Sequence, residues 1–103
     1  MIIELLKFKI APEHREKFIQ KDAQIWTAAL ANYPGFLAKE VWINPNDPTE
    51  LITVNRWETR EQWQSIPQEE VDAINQSFDK EFGFSYEMVE SSEYQVRKFP
   101  NQD

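Results

Sequence analysis

The sequence has no cysteine among its 103 residues. The chain therefore forms no disulfide, carries no thiolate nucleophile and offers no cysteine ligand to a metal, as is usual in a reducing compartment. It has a single histidine, His14, whose neighbours Glu13, Arg15 and Glu16 are all charged. Without a second imidazole or a thiolate, this side chain does not complete a transition-metal site. We expect a solvated His14, no metal site and no bound cofactor.

Basic residues and long apolar runs are also scarce. The chain has eleven lysines and arginines and eighteen acidic residues, which give a formal net charge of -7. This negative charge opposes attraction to nucleic-acid phosphates and anionic lipids. No stretch approaches the ~20 apolar residues of a membrane-spanning helix. The first apolar run is short and interrupted by Glu4 and Lys7, unlike a secretory signal. We expect a cytoplasmic protein without nucleic-acid or membrane partners.

The sequence does contain an ordered series of hydrophobic patterns. Strand-like patterns predict strands over 2–10, 36–44, 50–58 and 85–98, and helical spacing predicts helices over 12–33 and 60–82. The length suits one domain, residues 1–103. The order βαββαβ predicts an α+β domain in which two helices cover one face of an antiparallel sheet.

Turn residues mark the ends of these elements. Pro34-Gly35 predicts the end of the first helix. Thr59 followed by Gln62 resembles a capping box at the start of the second helix, which Pro67 is expected to kink or split. Residues 45–49 predict a loop between the second and third strands, and we expect a bend or bulge in the last strand near Ser91-Ser92.

The predicted strands are apolar on both faces. Ile3 and Leu6 lie on opposite faces of the first strand. Val41 and Trp42 do so in the second. When one face of an antiparallel sheet is exposed to solvent, apolar and polar residues alternate along its strands. Whichever face the helices cover, the other keeps an apolar area of a size that is rare on monomers. We predict a homodimer in which two sheets pack face to face.

Three short segments carry a resemblance to a known family. They are Tyr33-Pro34-Gly35-Phe36, the hairpin segment 44–50 with Asp47-Pro48, and Arg56-Trp57-Glu58-Thr59 followed by Trp63. With the element order, they resemble the dimeric α+β barrel superfamily, in particular its antibiotic-biosynthesis-monooxygenase-like group. The resemblance implies a ferredoxin-like protomer that dimerises through its sheet, with a pocket between helices and sheet.

Two chemistries follow from that resemblance. In quinone-forming relatives, a phenolic substrate loses a proton and gives an electron to O2, while the protein positions the substrate and stabilises the anion. Haem-degrading relatives use an axial histidine on the second helix together with an asparagine and a tryptophan. Residues 60–82 contain no histidine, so haem degradation is disfavoured.

Seven side chains are candidates for the pocket, and no catalytic residue is assigned. Asn55 either contacts substrate or is satisfied by a cross-strand or water-bridged hydrogen bond. Asp22 is either a base with a raised pKa or a residue at the edge of the apolar stripe that reaches solvent. The five aromatic candidates either line the pocket or fill the core; they are Trp26, Tyr33, Trp57, Trp63 and Phe78.

Three functions compete on this sequence, and the least favoured is haem binding or degradation, which would need His14 or a tyrosine as an axial ligand. A homodimer that binds a small hydrophobic or aromatic ligand, or a partner protein, is favoured because no sharp acid–base pair is evident. The alternative is a cofactor-independent monooxygenase that oxidises a small aromatic substrate with O2, with Asn55 and Asp22 orienting the substrate and handling a proton. A pocket of roughly 300 Å³ or more that includes these polar groups would favour the enzyme.

Overall fold

The computed structural model describes residues 1–98, and the last five residues of the predicted 1–103 domain lie outside this part. The strands are β1 (Ile2–Lys9), β2 (Phe36–Asn44), β3 (Asp47–Trp57) and β4 (Glu87–Gln95). The helices are α1 (Arg15–Lys21), α2 (Ala28–Leu30), α3 (Arg60–Gln64) and α4 (Gln68–Phe82). A 3-10 turn at Pro12–His14 precedes α1, and a π-helical segment, Asp22–Thr27, joins α1 to α2. The predicted order βαββαβ is confirmed.

The strands form one antiparallel sheet in the order β2-β3-β1-β4. The helices cover one face, which on β3 carries four side chains that are at most 3% exposed: Leu51, Thr53, Asn55 and Trp57. These are alternate residues, because side chains on a strand point to opposite faces with a period of two. The sheet therefore presents a covered face to the helices and an open face on its other side.

Aromatic rings form the core between the helices and the sheet. Phe8 of β1 packs on Phe18 of α1, and Phe18 meets the rings of Phe78 and Phe82 edge to face. Phe78 and Phe82 are four residues apart on α4, which places them on one side of the helix. Ile10 and Leu51 complete the buried cluster.

The first predicted helix differs from expectation in its interior and its end. Residues 12–30 are helical in four consecutive pieces, and the last piece ends at Leu30 rather than at Tyr33. The π-helical piece starts at Asp22, a buried carboxylate. Single π turns inside α-helices occur frequently at functional sites.

The second predicted helix is split by Pro67 as expected. α3 ends at Gln64 and α4 begins at Gln68, directly after the proline, which has no N–H for a helical hydrogen bond. Thr59 Oγ1 accepts a hydrogen bond from Gln62 N at 3.1 Å, so the predicted cap at the start of α3 is present. Gly83 ends α4 in a left-handed conformation.

Two predicted irregularities in the strands lie elsewhere. β3 begins at Asp47, so the loop predicted over 45–49 reduces to a tight turn at residues 45 and 46. In β4 the register shifts between Glu90, opposite Lys7, and Met88, opposite Phe8. The extra residue is therefore Val89, and the bulge predicted near Ser91-Ser92 was placed too far along the chain. The start of β3 and the position of the bulge in β4 are both set by the pairing between strands. The pattern of neighbouring residues in the sequence does not contain that pairing.

The open face of the sheet is apolar at its centre and charged at its margins. Register places six large apolar residues on it: Ile3, Leu5, Trp42, Ile52, Val54 and Tyr94. Trp42 is 42% exposed and Tyr94 is 54% exposed. Arg56 Nε and Glu40 Oε2 form a 2.7 Å ion pair at one margin. Among the helices of residues 1–98, none is both long and apolar enough to cross a membrane.

Candidate functional site

A cavity of about 490 Å³ lies between the sheet and the helices. This volume falls in the roughly 300–1,000 Å³ range of ligand pockets. Its floor comes from alternate residues of β1 and β3, and its walls from the helical segments. The exposed residues Gln64, Gln68, Asp72 and Asn75 are also part of its lining, so the cavity opens to solvent along α3 and α4.

Six of the seven predicted candidates line this cavity: Asp22, Trp26, Asn55, Trp57, Trp63 and Phe78. Tyr33 does not. It follows the first helical segment, and its hydroxyl donates a hydrogen bond to Glu70 Oε1 of α4, which raises the Tyr33 pKa. The helix ends before Tyr33, so the helical spacing that placed its ring with the pocket residues no longer applies.

Asp22 is buried in an ion pair with Lys39 of β2. Lys39 Nζ donates to Asp22 Oδ1 at 2.8 Å, and the two side chains are 5% and 6% exposed. Burial raises the pKa of Asp22, although the charge and the hydrogen bond of Lys39 act in the opposite direction. Asp22 therefore does not reach solvent, and its interpretation as a base with a raised pKa stays a prediction.

Asn55 connects β3 to β1 through a hydrogen bond to Glu4. Asn55 Nδ2 donates to Glu4 Oε1 at 2.9 Å. Burial raises the pKa of Glu4. The Asn55 hydrogen bond and the charge of Lys39 lower it, but their effect is smaller, so the pKa is raised overall. The cross-strand hydrogen bond considered for Asn55 is thus present, and the same side chain also lines the cavity.

Two buried polar atoms of the floor have no hydrogen-bond partner within residues 1–98. They are the acceptor Asn55 Oδ1 and the donor Trp57 Nε1. Asn55 is 3% exposed and Trp57 is fully buried. A buried polar group that stays unsatisfied costs about 1–3 kcal/mol. Two such groups, on alternate residues of one strand that lines a cavity, are suited to hydrogen-bond a ligand.

The polar residues of the floor form one row across the sheet. Lys39 of β2 and Glu4 of β1 both pair in register with Asn55 of β3, one on each side. The neighbouring row contains Val41, Thr53 and Leu6, in the same strand order. The cavity thus combines apolar walls with a narrow polar strip, an arrangement typical of small-molecule sites.

Comparison with known proteins assigns the chain to a family. Residues 1–70, more than half of the chain, match the family described as antibiotic biosynthesis monooxygenase. The chain belongs to this family. No curated protein matches it in sequence.

Solved structures share the fold of this antibiotic biosynthesis monooxygenase family member. A protein from Deinococcus radiodurans, proposed to be an antibiotic biosynthesis monooxygenase, is 16% identical with a TM-score of 0.67, covering 100% of this chain and 99% of its own. SnoaB, a cofactor-independent oxygenase from Streptomyces nogalater, is 13% identical with a TM-score of 0.67, covering 98% and 97%. The monooxygenase ActVA-Orf6 of Streptomyces coelicolor, in complex with nanaomycin D, is 11% identical with a TM-score of 0.70, covering 99% and 92%. At these identities the likeness establishes the fold.

Sequence reasoning missed two residues of the site in this family member, Glu4 and Lys39. Glu4 shares the period-two face of Leu6 and Phe8, so a carboxylate on the core side of β1 was a usable signal. The direction of the Lys39 side chain depends on a bulge in β2. Phe36 pairs with Trp57 and Ala38 with Arg56, which leaves Leu37 as an extra residue in β2. A one-residue bulge moves the following side chains to the other face, and here it brings Lys39 to the cavity side.

Within residues 1–98, no group of three or more His, Cys, Asp or Glu side chains is placed to hold a metal ion. His14 stacks on Phe84, with ring centroids 3.6 Å apart, and it does not line the cavity. The only imidazole of the chain is therefore not among the residues that would surround a ligand in this cavity.

Proposed function

We propose that this protein is a cofactor-independent monooxygenase that oxidises a small phenolic aromatic compound with O2 to a quinone. The observation that carries the proposal is the pair of buried, unpartnered polar atoms, Asn55 Oδ1 and Trp57 Nε1, in an aromatic-lined cavity of about 490 Å³. Support comes from SnoaB, a cofactor-independent oxygenase, and from ActVA-Orf6, a monooxygenase seen with nanaomycin D. The cavity meets the size and polarity criteria that favour the enzyme over a ligand- or partner-binding dimer.

The proposed reaction uses the electrons of the substrate alone. The phenol loses its hydroxyl proton, and the phenolate transfers one electron to O2, giving a substrate radical and superoxide. These two combine to form a carbon–oxygen bond at the ring carbon opposite the phenolic oxygen. The ring carbon then loses its proton while the O–O bond breaks. One oxygen atom stays in the quinone and the other leaves as water, so phenol plus O2 gives quinone plus water.

Residues of the cavity have complementary roles in this reaction. Trp26, Trp63 and Phe78 hold the aromatic ring, since aromatic contacts suit a flat ligand. Asn55 Oδ1 accepts a hydrogen bond from the substrate hydroxyl, and Trp57 Nε1 donates one to an oxygen that gains negative charge. Donors that are already oriented before charge develops lower the barrier because they need no reorganisation.

The test is consumption of O2 by the purified protein with α-naphthol, a phenol whose para carbon is free. We expect quinone formation, and isotopically labelled O2 should place one labelled oxygen in the product. Asn55→Ala and Trp57→Phe should each lower kcat by about 10²–10³-fold, the effect of removing one positioned polar group. Tyr33→Phe, outside the cavity, is the control with unchanged kcat. Quenching of tryptophan fluorescence by α-naphthol without O2 uptake would contradict the enzyme and leave the ligand-binding dimer.

We further propose that the protein is a homodimer formed by two open faces. Support comes from the exposed Trp42 and Tyr94 beside the half-buried Leu5 and Ile52. An apolar centre with a charged margin is the usual composition of a stable interface. The helices already cover the other face, so a second sheet is the surface of matching shape and polarity.

A further inference from the structure

Glu4 is the carboxylate of the cavity floor that has a neutral partner. Its Oε1 accepts the hydrogen bond from Asn55 Nδ2 at 2.9 Å. Among the side chains of residues 1–98, none donates to Oε2, so this oxygen is available to a ligand. We propose that Glu4, oriented by Asn55, is the catalytic base that removes the phenolic proton, and that the site consequently takes neutral phenols rather than ring-carboxylated ones. This inference rests on the proposed monooxygenase function.

The hydrogen bond from Asn55 gives Glu4 the orientation that proton transfer needs. Glu4 and Asn55 are directly opposite each other on β1 and β3, so the backbone ladder fixes the spacing of the two side chains. A general base must approach within hydrogen-bond distance of the proton that it removes. The substrate hydroxyl has one proton, and its hydrogen bond to Asn55 Oδ1, which is unpartnered and two bonds from the donor Nδ2, gives way to one with the Glu4 carboxylate before the proton is transferred.

Asp22 is less suited to this role, although its carboxyl is also buried. Its Oδ1 is 2.8 Å from Lys39 Nζ, and both side chains are almost fully buried. Protonation of Asp22 would leave Lys39 as a buried cation without its counter-charge, which is costly. Glu4 has an amide partner, so it gains and loses a proton without breaking an ion pair.

The surroundings of Glu4 make it a stronger base than an exposed glutamate, because burial raises its pKa. The charged and titratable groups facing it come from every neighbouring element: Lys39 on β2, Asp22 on the π-helical segment, Asp72 on α4, Tyr86 before β4, and Glu93 on β4, which is held by Arg60. Burial raises the pKa of Glu4 above its ordinary value of 4.5. The pKa of Tyr86 is also raised, so its hydroxyl stays protonated and does not compete as a base.

The same charges define the substrate class. Asp22 and Lys39 cancel each other, and the ionised Glu4 leaves the cavity with a net negative charge. A neutral phenol donates a hydrogen bond to Glu4, whereas a carboxylate on the ring meets repulsion from Glu4 and from Asp72 at the opening. We therefore expect kcat/KM to be at least about ten-fold lower for hydroxynaphthoic acid, the ring-carboxylated analogue of α-naphthol, a difference that corresponds to ~1.4 kcal/mol.

The deciding experiment is the pH profile of kcat/KM for α-naphthol oxidation. In the unchanged protein we expect activity to fall at acid pH with an apparent pKa above 4.5, because a protonated Glu4 accepts no proton. Glu4→Gln keeps an acceptor for Asn55 Nδ2. It should lose about 10²–10⁴-fold in kcat, the usual contribution of a general base, and the acid limb of the profile. The control is Glu81→Gln on the exposed side of α4, which should keep both.

The outcomes separate this inference from the function on which it rests. If the unchanged protein consumes no O2 with α-naphthol, both are overturned. If it is active and Glu4→Gln retains its rate and its acid limb, only the role of Glu4 is overturned. If Asp22→Asn loses the acid limb while Glu4→Gln keeps it, Asp22 is the base. Should Glu4→Gln unfold, Glu4→Ala with added formate decides, because formate restores activity only where a carboxylate base is missing.

Discussion

At the scale of single residues, the pair of Asp22 and Lys39 is the costliest feature of the site. Each charge loses hydration on burial, and the attraction between them, at 2.8 Å, offsets that loss. Hydrophobic residues of the same size would serve stability as well or better. The pair therefore has more value for the cavity than for the fold, because it puts a fixed dipole beside the Glu4–Asn55 hydrogen bond.

Replacing Lys39 with methionine should destabilise the protein by about 3–5 kcal/mol, because Asp22 then remains as an uncompensated buried charge. The double variant Lys39→Met with Asp22→Leu should recover most of that loss. The free energy of unfolding from denaturant titration measures both. Lys21→Met is the matched control: it breaks the 3.8 Å pair with the exposed Glu81, and such a surface pair contributes only about 0–1 kcal/mol. Equal losses in the free energy of unfolding for Lys39→Met and Lys21→Met would contradict a special contribution of the buried ion pair.

At the scale of elements, the turn between the first helical segment and β2 depends on Gly35. Its φ is +88°, a conformation that other residues adopt only with strain. A Cβ on Gly35 would also lie 2.2 Å from Gln62 Oε1 of α3. The carbonyl of Gly35 accepts a hydrogen bond from Glu58 N at 2.7 Å. The glycine thus allows the start of β2, the end of β3 and α3 to meet at one corner of the cavity.

Gly35→Ala and Gly83→Ala form a matched pair for measuring that close approach. Both glycines have positive φ, but a Cβ on Gly83 would meet only Lys80 O, at 4.0 Å. We expect Gly83→Ala to cost about 1 kcal/mol from backbone strain and Gly35→Ala to cost about 1–3 kcal/mol more. Thermal unfolding of both variants gives the difference. Adding Gln62→Ala to Gly35→Ala should remove only part of the extra loss, because the Cβ of residue 62, 2.7 Å from the added Cβ, remains. An unchanged loss would show that the outer atoms of Gln62 do not cause it.

At the scale of the whole molecule, the open face of the sheet is the surface through which the proposed homodimer would form. Its apolar centre is larger than the isolated exposed side chains that are ordinary on monomers. Trp42 lies near this centre on an edge strand, 42% exposed, and Ile43 lies next to it on the covered side of the same strand, 51% exposed. Trp42 and Ile43 are similarly exposed but lie on opposite faces of the sheet. Substituting each in turn therefore tests which face contacts the second protomer.

Trp42→Glu should convert the homodimer to a monomer, because it places a charge in the centre of the sheet-to-sheet interface. Ile43→Glu should leave the dimer intact. Light scattering coupled to size-exclusion chromatography gives the mass of each species. A monomeric unchanged protein would contradict the proposed dimer, and dissociation by Ile43→Glu alone would place the interface on the strand edge.

The candidate site was predictable in part. Residues whose position follows from one element do line the cavity: Asp22 and Trp26 follow from helical spacing, and Asn55 and Trp57 from strand alternation. Tyr33 was placed wrongly because the helix ends at Leu30, three residues before it. Lys39 was missed because its direction depends on the bulge at Leu37, which the pairing of β2 with β3 reveals.

The order of strands and helices, the cap at Thr59, the break at Pro67, the family and the apolar second face could all be predicted from the amino-acid sequence. These features depend on residues close together along the chain, where backbone preference and hydrophobic period act directly. The existence of a cavity, and the set of polar groups that meet in it, followed only from the folded structure. Glu4 and Asn55 are 51 positions apart, and Asp22 and Lys39 are 17 apart. Strand register and one inserted residue bring them together, and neither leaves a local signature in the sequence.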